Sequence, residues 1–200
     1  MSNLFQKVEL EAFRAGITPR TKESREWFRK KLYNMKAINR QALLREKPLE
    51  RRNAEKLRKR QGIGDMYMFF YDAKGKETLP YWDAFPLIIN MGAAKGGFYG
   101  LNVHYLPMRL RARFLDGLMA RTTNKKFDET TRFRLTYNYL QSTSKLRYFK
   151  PCFKHYLTSQ VKGRLSYVPP AEWEIAVFLP TAQWKGGNRS QVYKDSRSMI

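Results

Sequence analysis

Apolar positions change period twice along the chain. Thr21 is a candidate helix cap with Pro19 just upstream, and Phe28, Leu32 and Met35 then recur at spacings of four and three, which predicts an amphipathic helix. A second helical stretch is predicted over Asn39 to Arg45. Pro48 breaks or restarts it, and a third runs from Leu49 to Arg60, up to Gly62 and Gly64. The centre has strand character. Met66-Tyr67-Met68-Phe69-Phe70-Tyr71 is an aromatic run of strand length, Asp72 to Lys76 is a turn, and Glu77 to Tyr81 is the predicted return strand. Phe85 to Asn90 and Phe98 to Leu106 are further strands, separated by a loop over 92–97 and ended by Pro107. Helical spacing then returns. Leu106, Leu110, Phe114 and Leu118 form one face. Phe133, Tyr137 and Leu140 form another behind a candidate cap at Asp128, and Phe149, Phe153 and Tyr156 a third. A short helix through Glu172 to Val177 lies between Pro169-Pro170 and Pro180, and the polar tail from Gly186 is expected to pack loosely.

These elements predict an α+β fold: a small central antiparallel β-barrel or sheet, with an SH3-like barrel as one form, flanked by helices. The 200 residues divide into a helical N-terminal arm (1–63), a β core (64–107) and a helical C-terminal region packed on that core (108–200). With 42% hydrophobic and 14% aromatic residues the chain can fill a core, so wholesale disorder is excluded. The single cysteine, Cys152, excludes an intrachain disulfide and a cysteine-based zinc site. No apolar run approaches a membrane span, and the N-terminus lacks a signal-peptide core. A soluble intracellular protein, or one built into a particle assembled inside a cell, is expected.

Charge changes this picture most. The net formal charge is +22, from 39 Lys/Arg and 17 Asp/Glu. So large an excess repels itself and calls for a polyanionic partner, nucleic acid first among them. The excess is unevenly placed: residues 1–63 carry +11, residues 64–107 carry −1 and residues 108–200 carry +12. In the first zone Lys22, Arg29, Lys36, Arg40, Lys47, Arg51 and Arg58 follow one another at intervals of seven or four. On a continuous helix they would form one stripe, suited to tracking phosphates. In the third, Arg109 and Arg113 share a helix face with Arg111 opposite. With Lys125, Lys126, Arg132 and Arg134 they make a second candidate phosphate surface. The plain alternative for each residue is a solvated helix face.

Catalytic signals are weak. His104 and His155 have no metal-pair spacing, and His104, alternating within a strand, is structural in this reading. Cys152 and His155, three apart, sit among aromatics and are assigned to packing. Asp65, Asp72, Glu77 and Asp83 offer carboxylates for a Mg²⁺-dependent nuclease, but without a convincing acid–lysine cluster. The glycines of 92–97 lack the ending of a phosphate loop, and 95–103 match an RNA-recognition signature only loosely. No cofactor and no enzymatic activity are expected. Tyr81 and Trp82, in Tyr81-Trp82-Asp83-Ala84-Phe85-Pro86, are the candidates to face outward and stack on a terminal base.

Three central runs carry a family resemblance. They are Gly64 to Lys74, Leu79 to Ile89, and Gly97-Phe98-Tyr99-Gly100-Leu101-Asn102-Val103-His104-Tyr105-Leu106-Pro107. Together they resemble the DNA end protector, or head-completion, proteins of T-even-like contractile-tailed phages. The similarity extends to Trp27-Phe28 and to the closing Asp195 to Ile200. The resemblance implies a virion protein that sits on the ends of the packaged linear genome and shields them from host exonuclease. It implies double-stranded DNA ends as partner, with portal, neck or other head proteins as further partners, no membrane, and residence in the head or neck of the virion. It supplies no catalytic residue. The alternatives are a structural neck or head-completion subunit that binds other virion proteins and, less favoured, a nuclease that trims ends.

Overall fold

The computed structural model describes residues 4–33, 35, 38–45, 62–122 and 124–198. Three helices open the chain: α1 (Leu4–Arg14), α2 (Lys22–Tyr33) and α3 (Arg40–Arg45). Thr21 caps α2 as expected. Its Oγ1 accepts from the Ser24 amide at 3.0 Å while the Ser24 hydroxyl accepts from the Thr21 amide at 3.0 Å, so two otherwise orphaned donors are satisfied reciprocally. The predicted helix over 49–60 lies outside the described residues.

Strands β1 (Met66–Tyr71), β3 (Leu87–Ala94), β4 (Gly97–Asn102), β5 (Phe153–Leu157) and β6 (Val161–Val168) form one antiparallel sheet in the order β5-β4-β3-β1-β6. The short β2 (Trp82–Asp83) pairs instead with β7 (Trp184–Lys185). Between β4 and β5 the chain forms a helical hairpin, α4 (Met108–Thr122) and α5 (Glu129–Ser144). It ends with the one-turn helix α6 (Trp173–Ala176), then β7, then α7 (Arg189–Ser198).

The sheet is strongly coiled but open. If flat, its five strands would hold the edges β5 and β6 roughly 19 Å apart. Only the three residues Thr158–Gln160 join them, a reach of about 13 Å from Leu157 to Val161. The curl brings the Phe69 ring on β1 within 5.4 Å of Tyr156 on β5. Yet no ladder pairs β5 with β6 among the described residues, so the barrel form is replaced by an open sheet. Alternation on β1 serves both faces. Tyr67 and Phe69 join Ile88, Phe98 and Tyr156 in a small cluster, while Met66 and Met68 join the main core with Leu87, Ile89, Leu101 and Val168.

Four expectations are corrected. The return strand over 77–81 is absent: Thr78 donates to the Gly75 carbonyl in a turn, and Pro80 has no amide to offer a ladder. The helical face at Phe149, Phe153 and Tyr156 is a 3-10 turn (Arg147–Cys152) containing Pro151, followed by β5. His104 lies in a 3-10 turn (Val103–Tyr105) rather than a strand, because the Asn102 side chain caps that turn by accepting from the His104 amide at 2.9 Å. The tail is packed: α7 buries Val192, and the Tyr193 hydroxyl accepts from Arg111 at 2.9 Å.

Gly97 is required by close approach. A Cβ on Gly97 would run into the Tyr156 carbonyl oxygen across the β4–β5 pair. The main core draws on all three stretches of sequence, with Phe5, Val8, Phe28 and Leu32 beside Phe114, Leu118 and Trp173. A buried acid holds the first stretch in place. Glu174 on α6 accepts from the Arg20 amide (2.8 Å), the Ser24 hydroxyl (2.6 Å) and Arg25 Nη1 (3.3 Å), and Arg25 also pairs with Asp116 on α4.

Candidate nucleic-acid interface

The framework behind the surface is polar and buried. Asp83 Oδ2 accepts from His104 Nδ1 at 2.6 Å and from Asn102 at 3.1 Å, and its Oδ1 accepts from the Phe85 and Gln183 amides, each at 3.0 Å. The Thr181 hydroxyl lies 3.2 Å from His104 Nε2. Acid, imidazole and hydroxyl stand in the order of a proton relay. His104 is 0% exposed and Thr181 2%, so no substrate reaches the hydroxyl and the trio acts as a cross-link between β2, the turn after β4 and the segment before β7. Burial alone would raise the Asp83 pKa, but His104, the Gln183 amide and Asn102 hold it below the usual carboxylate value. Burial lowers that of His104; with Nδ1–H donated to Asp83, Nε2 is left to accept from the Thr181 hydroxyl.

Arg111 is a second internal clamp. It is fully buried and donates to the carbonyls of Leu106 (2.8 Å), His104 (3.0 Å) and Val177 (3.0 Å). Cys152 is buried and its thiol is pushed up to about 12 by burial, so it packs and does not react.

The candidate phosphate-contact cations on the described surface fall into two groups, with Arg29 itself half-buried. In the first, Arg29 on α2 and Arg109 on α4 both act on the Glu26 carboxylate, whose pKa is lowered chiefly by its hydrogen bonds from Arg29. Arg29 spends Nε on Glu26 at 2.9 Å and Nη2 on its other oxygen. Arg109 and Arg113 are exposed and one turn apart on α4. The structure thus brings cations from both basic zones onto one ridge. The continuous N-terminal stripe is not formed in the described residues: α2 ends at Tyr33 and α3 begins at Arg40. Arg40 turns inward, donating to the Thr181 and Ala182 carbonyls at 2.7 and 3.0 Å. Lys36, Lys47, Arg51 and Arg58 lie outside the described residues.

The second group is the α4–α5 hairpin. Lys125 and Lys126 are exposed at its tip, Arg134 is exposed on α5, and Arg132 is half-buried. Asp128 caps α5, accepting from the Thr131 amide at 2.9 Å. Here the structure adds what sequence spacing misses. Phe133 and Tyr137, core by their spacing with Leu140, face outward; only Leu140 is buried. Phe127 at the tip and Tyr148 beyond α5 are also exposed. Exposed aromatic rings therefore alternate with Lys125, Lys126, Arg134, Lys145 and Arg147 along this stretch of the chain.

The family model described as phage T4 terminal DNA protecting protein matches residues 5–197. The chain belongs to this family. It is the family that the central sequence runs resemble, and the match spans everything from α1 to α7. No curated protein and no solved structure matches the chain. In this terminal DNA protecting family member Tyr81 and Trp82 are both half-buried. The Tyr81 ring packs 6.4 Å from Tyr105 and 6.2 Å from Trp184, and Trp82 pairs with Lys185 across the β2–β7 ladder. Both border a cavity rather than standing free on the surface. Among the described residues no group of three His, Cys, Asp or Glu side chains could hold a metal ion, and no described helix is long and apolar enough to cross a membrane.

Proposed function

We propose that the protein binds the ends of linear double-stranded DNA without reading sequence and shields them sterically from exonuclease. It would do so as a phage virion protein, in the head or neck and then in the host cytoplasm after injection. The family match across residues 5–197 carries this reading. The charge of +22 supports it independently, since a surface of this sign gains affinity by releasing counterions from DNA. Lys and Arg side chains on helices, together with exposed rings, grip backbone and stack on bases; neither contact reads a base edge. Participation in head completion, with portal or neck proteins as partners, belongs to the same reading.

A gel shift tests end binding directly. Linear duplex and covalently closed circular DNA of equal length are compared at one salt concentration. Preferential retention of the linear form is expected, and equal affinity for both would remove end capping while leaving general DNA binding in place.

A further inference from the structure

A cavity of about 300 Å³ opens at the β5 edge of the sheet, under the loop that follows β1. Tyr71, Tyr81, Trp82 and Tyr105 line it, and Lys154 and His155 border it from β5. The volume is at the small end of ligand sites: it suits one nucleotide and excludes a duplex.

Lys154 gives the cavity its chemistry. Its ammonium stands 4.3 Å from the centre of the Tyr105 ring, and burial lowers its pKa. Among the described residues no carboxylate forms an ion pair with it. Asp83 also borders the cavity, but its two oxygens already take four hydrogen bonds. A partly desolvated cation without a counter-charge is costly unless a ligand brings the anion. Lys74 adds a second cation at the exposed rim. The aromatic walls offer flat faces of the kind that bases stack on. Cation and rings together describe a nucleotide rather than a bare anion or an apolar ligand.

We propose that this cavity receives the terminal nucleotide of a DNA strand, its base against Trp82 and Tyr81 and its terminal phosphate monoester on Lys154. The proposal rests on the end-binding reading and adds to it how an end is told from the middle of a duplex. A terminal monoester carries about −1.5 to −2 charge at neutral pH, against −1 or so for each internal diester. Only an end can supply it to a site this narrow.

The test uses the full chain and short duplexes whose far end is closed by a hairpin. The open end carries a 5′-phosphate, a 5′-hydroxyl or a 3′-phosphate, and a duplex closed at both ends is the control. Anisotropy should show a terminal phosphate at one of the two strand ends binding about tenfold more tightly than the hydroxyl end. Lys154→Met should abolish that difference while leaving affinity for the fully closed duplex unchanged. Deoxynucleoside 5′-monophosphate should quench tryptophan fluorescence in the wild type and not in Trp82→Phe, a readout that does not depend on the Lys154 variant folding. Equal binding of phosphate and hydroxyl ends by the wild type would overturn the proposal. So would discrimination that survives in a folded Lys154→Met. If the open duplexes still outbind the closed one in either case, end binding stands and only the cavity's role falls; if they do not, end binding itself fails.

Discussion

Asp83 accepts four hydrogen bonds inside the protein. Replacing it by Ala strands the two amides, the Asn102 side chain and His104 Nδ1–H at once. A loss of roughly 3–5 kcal/mol is expected in urea unfolding at pH 7. Thr181→Val removes a single bond to His104 and should cost about 1 kcal/mol. The same pair, Asp83 and His104, sets a pH dependence. Both groups titrate lower in the folded than in the unfolded chain, so the unfolded chain binds more protons and acid favours unfolding. The loss should begin as pH falls below 6.5, the ordinary value for His104, and deepen below 3.8, that for Asp83. Asp65, raised by burial, acts in the opposite sense within the carboxylate range, so the histidine window is the cleaner one. Thermal unfolding across pH 7 to 5 checks it: His104→Asn should flatten the slope there, and an unchanged slope would assign it elsewhere. The sequence marks His104 as structural, but nothing in the spacing of Asp83, His104 and Thr181 announces that a 3-10 turn and a two-residue ladder will bring the three together.

Among the elements, the α4–α5 hairpin is where the DNA surface can be tested with least damage to the fold. Phe133 is 52% exposed. Phe133→Ala with Tyr137→Ala should leave stability nearly unchanged and weaken DNA binding by about 1–3 kcal/mol for each base stacked. Lys125→Gln with Lys126→Gln should reduce the slope of log affinity against log salt by about 0.9 for each phosphate that these lysines neutralise. A full slope in the double variant would move the phosphate contacts to the Arg29–Arg109 ridge. The Gly97→Ala change is a fold probe: the β4–β5 backbones cannot separate without breaking their ladder, so a loss on the order of 2 kcal/mol or more is expected. The elements also differ in how plainly the sequence shows them. α2 and α5 carry their caps and long helical periods in plain view, and both form. β5 is masked because Phe149, Phe153 and Tyr156 happen to fall at helical spacing, although Pro151 argues against a helix there. No strand is predicted over 161–168, although Val161, Leu165 and Tyr167 on the aromatic face alternate with Lys162, Arg164 and Ser166. Phe133 and Tyr137 have the right period for a buried face and are nonetheless exposed. Periodicity marks a face without saying what covers it.

At the scale of the molecule, the uneven charge of the sequence takes on a spatial meaning. The near-neutral central zone supplies β1 to β4, and the five-stranded sheet is completed only by β5 and β6 from the basic C-terminal zone. The two basic zones are joined through α2 and α4, where Arg25 pairs with Asp116 and both Arg29 and Arg109 act on Glu26. Cations far apart in sequence thereby share one surface, and a second set lines the hairpin with exposed rings between. The separate stripe on a single N-terminal helix does not form in the described residues. Exonuclease digestion of linear duplex DNA in the presence of the purified protein is the most direct test of this molecule as an end protector. Full-length DNA should persist when protein exceeds ends, and protection should fall when the hairpin cations Lys125, Lys126 and Arg134 are replaced by Glu. Digestion at the rate of naked DNA, under salt conditions where the protein remains bound, would contradict it.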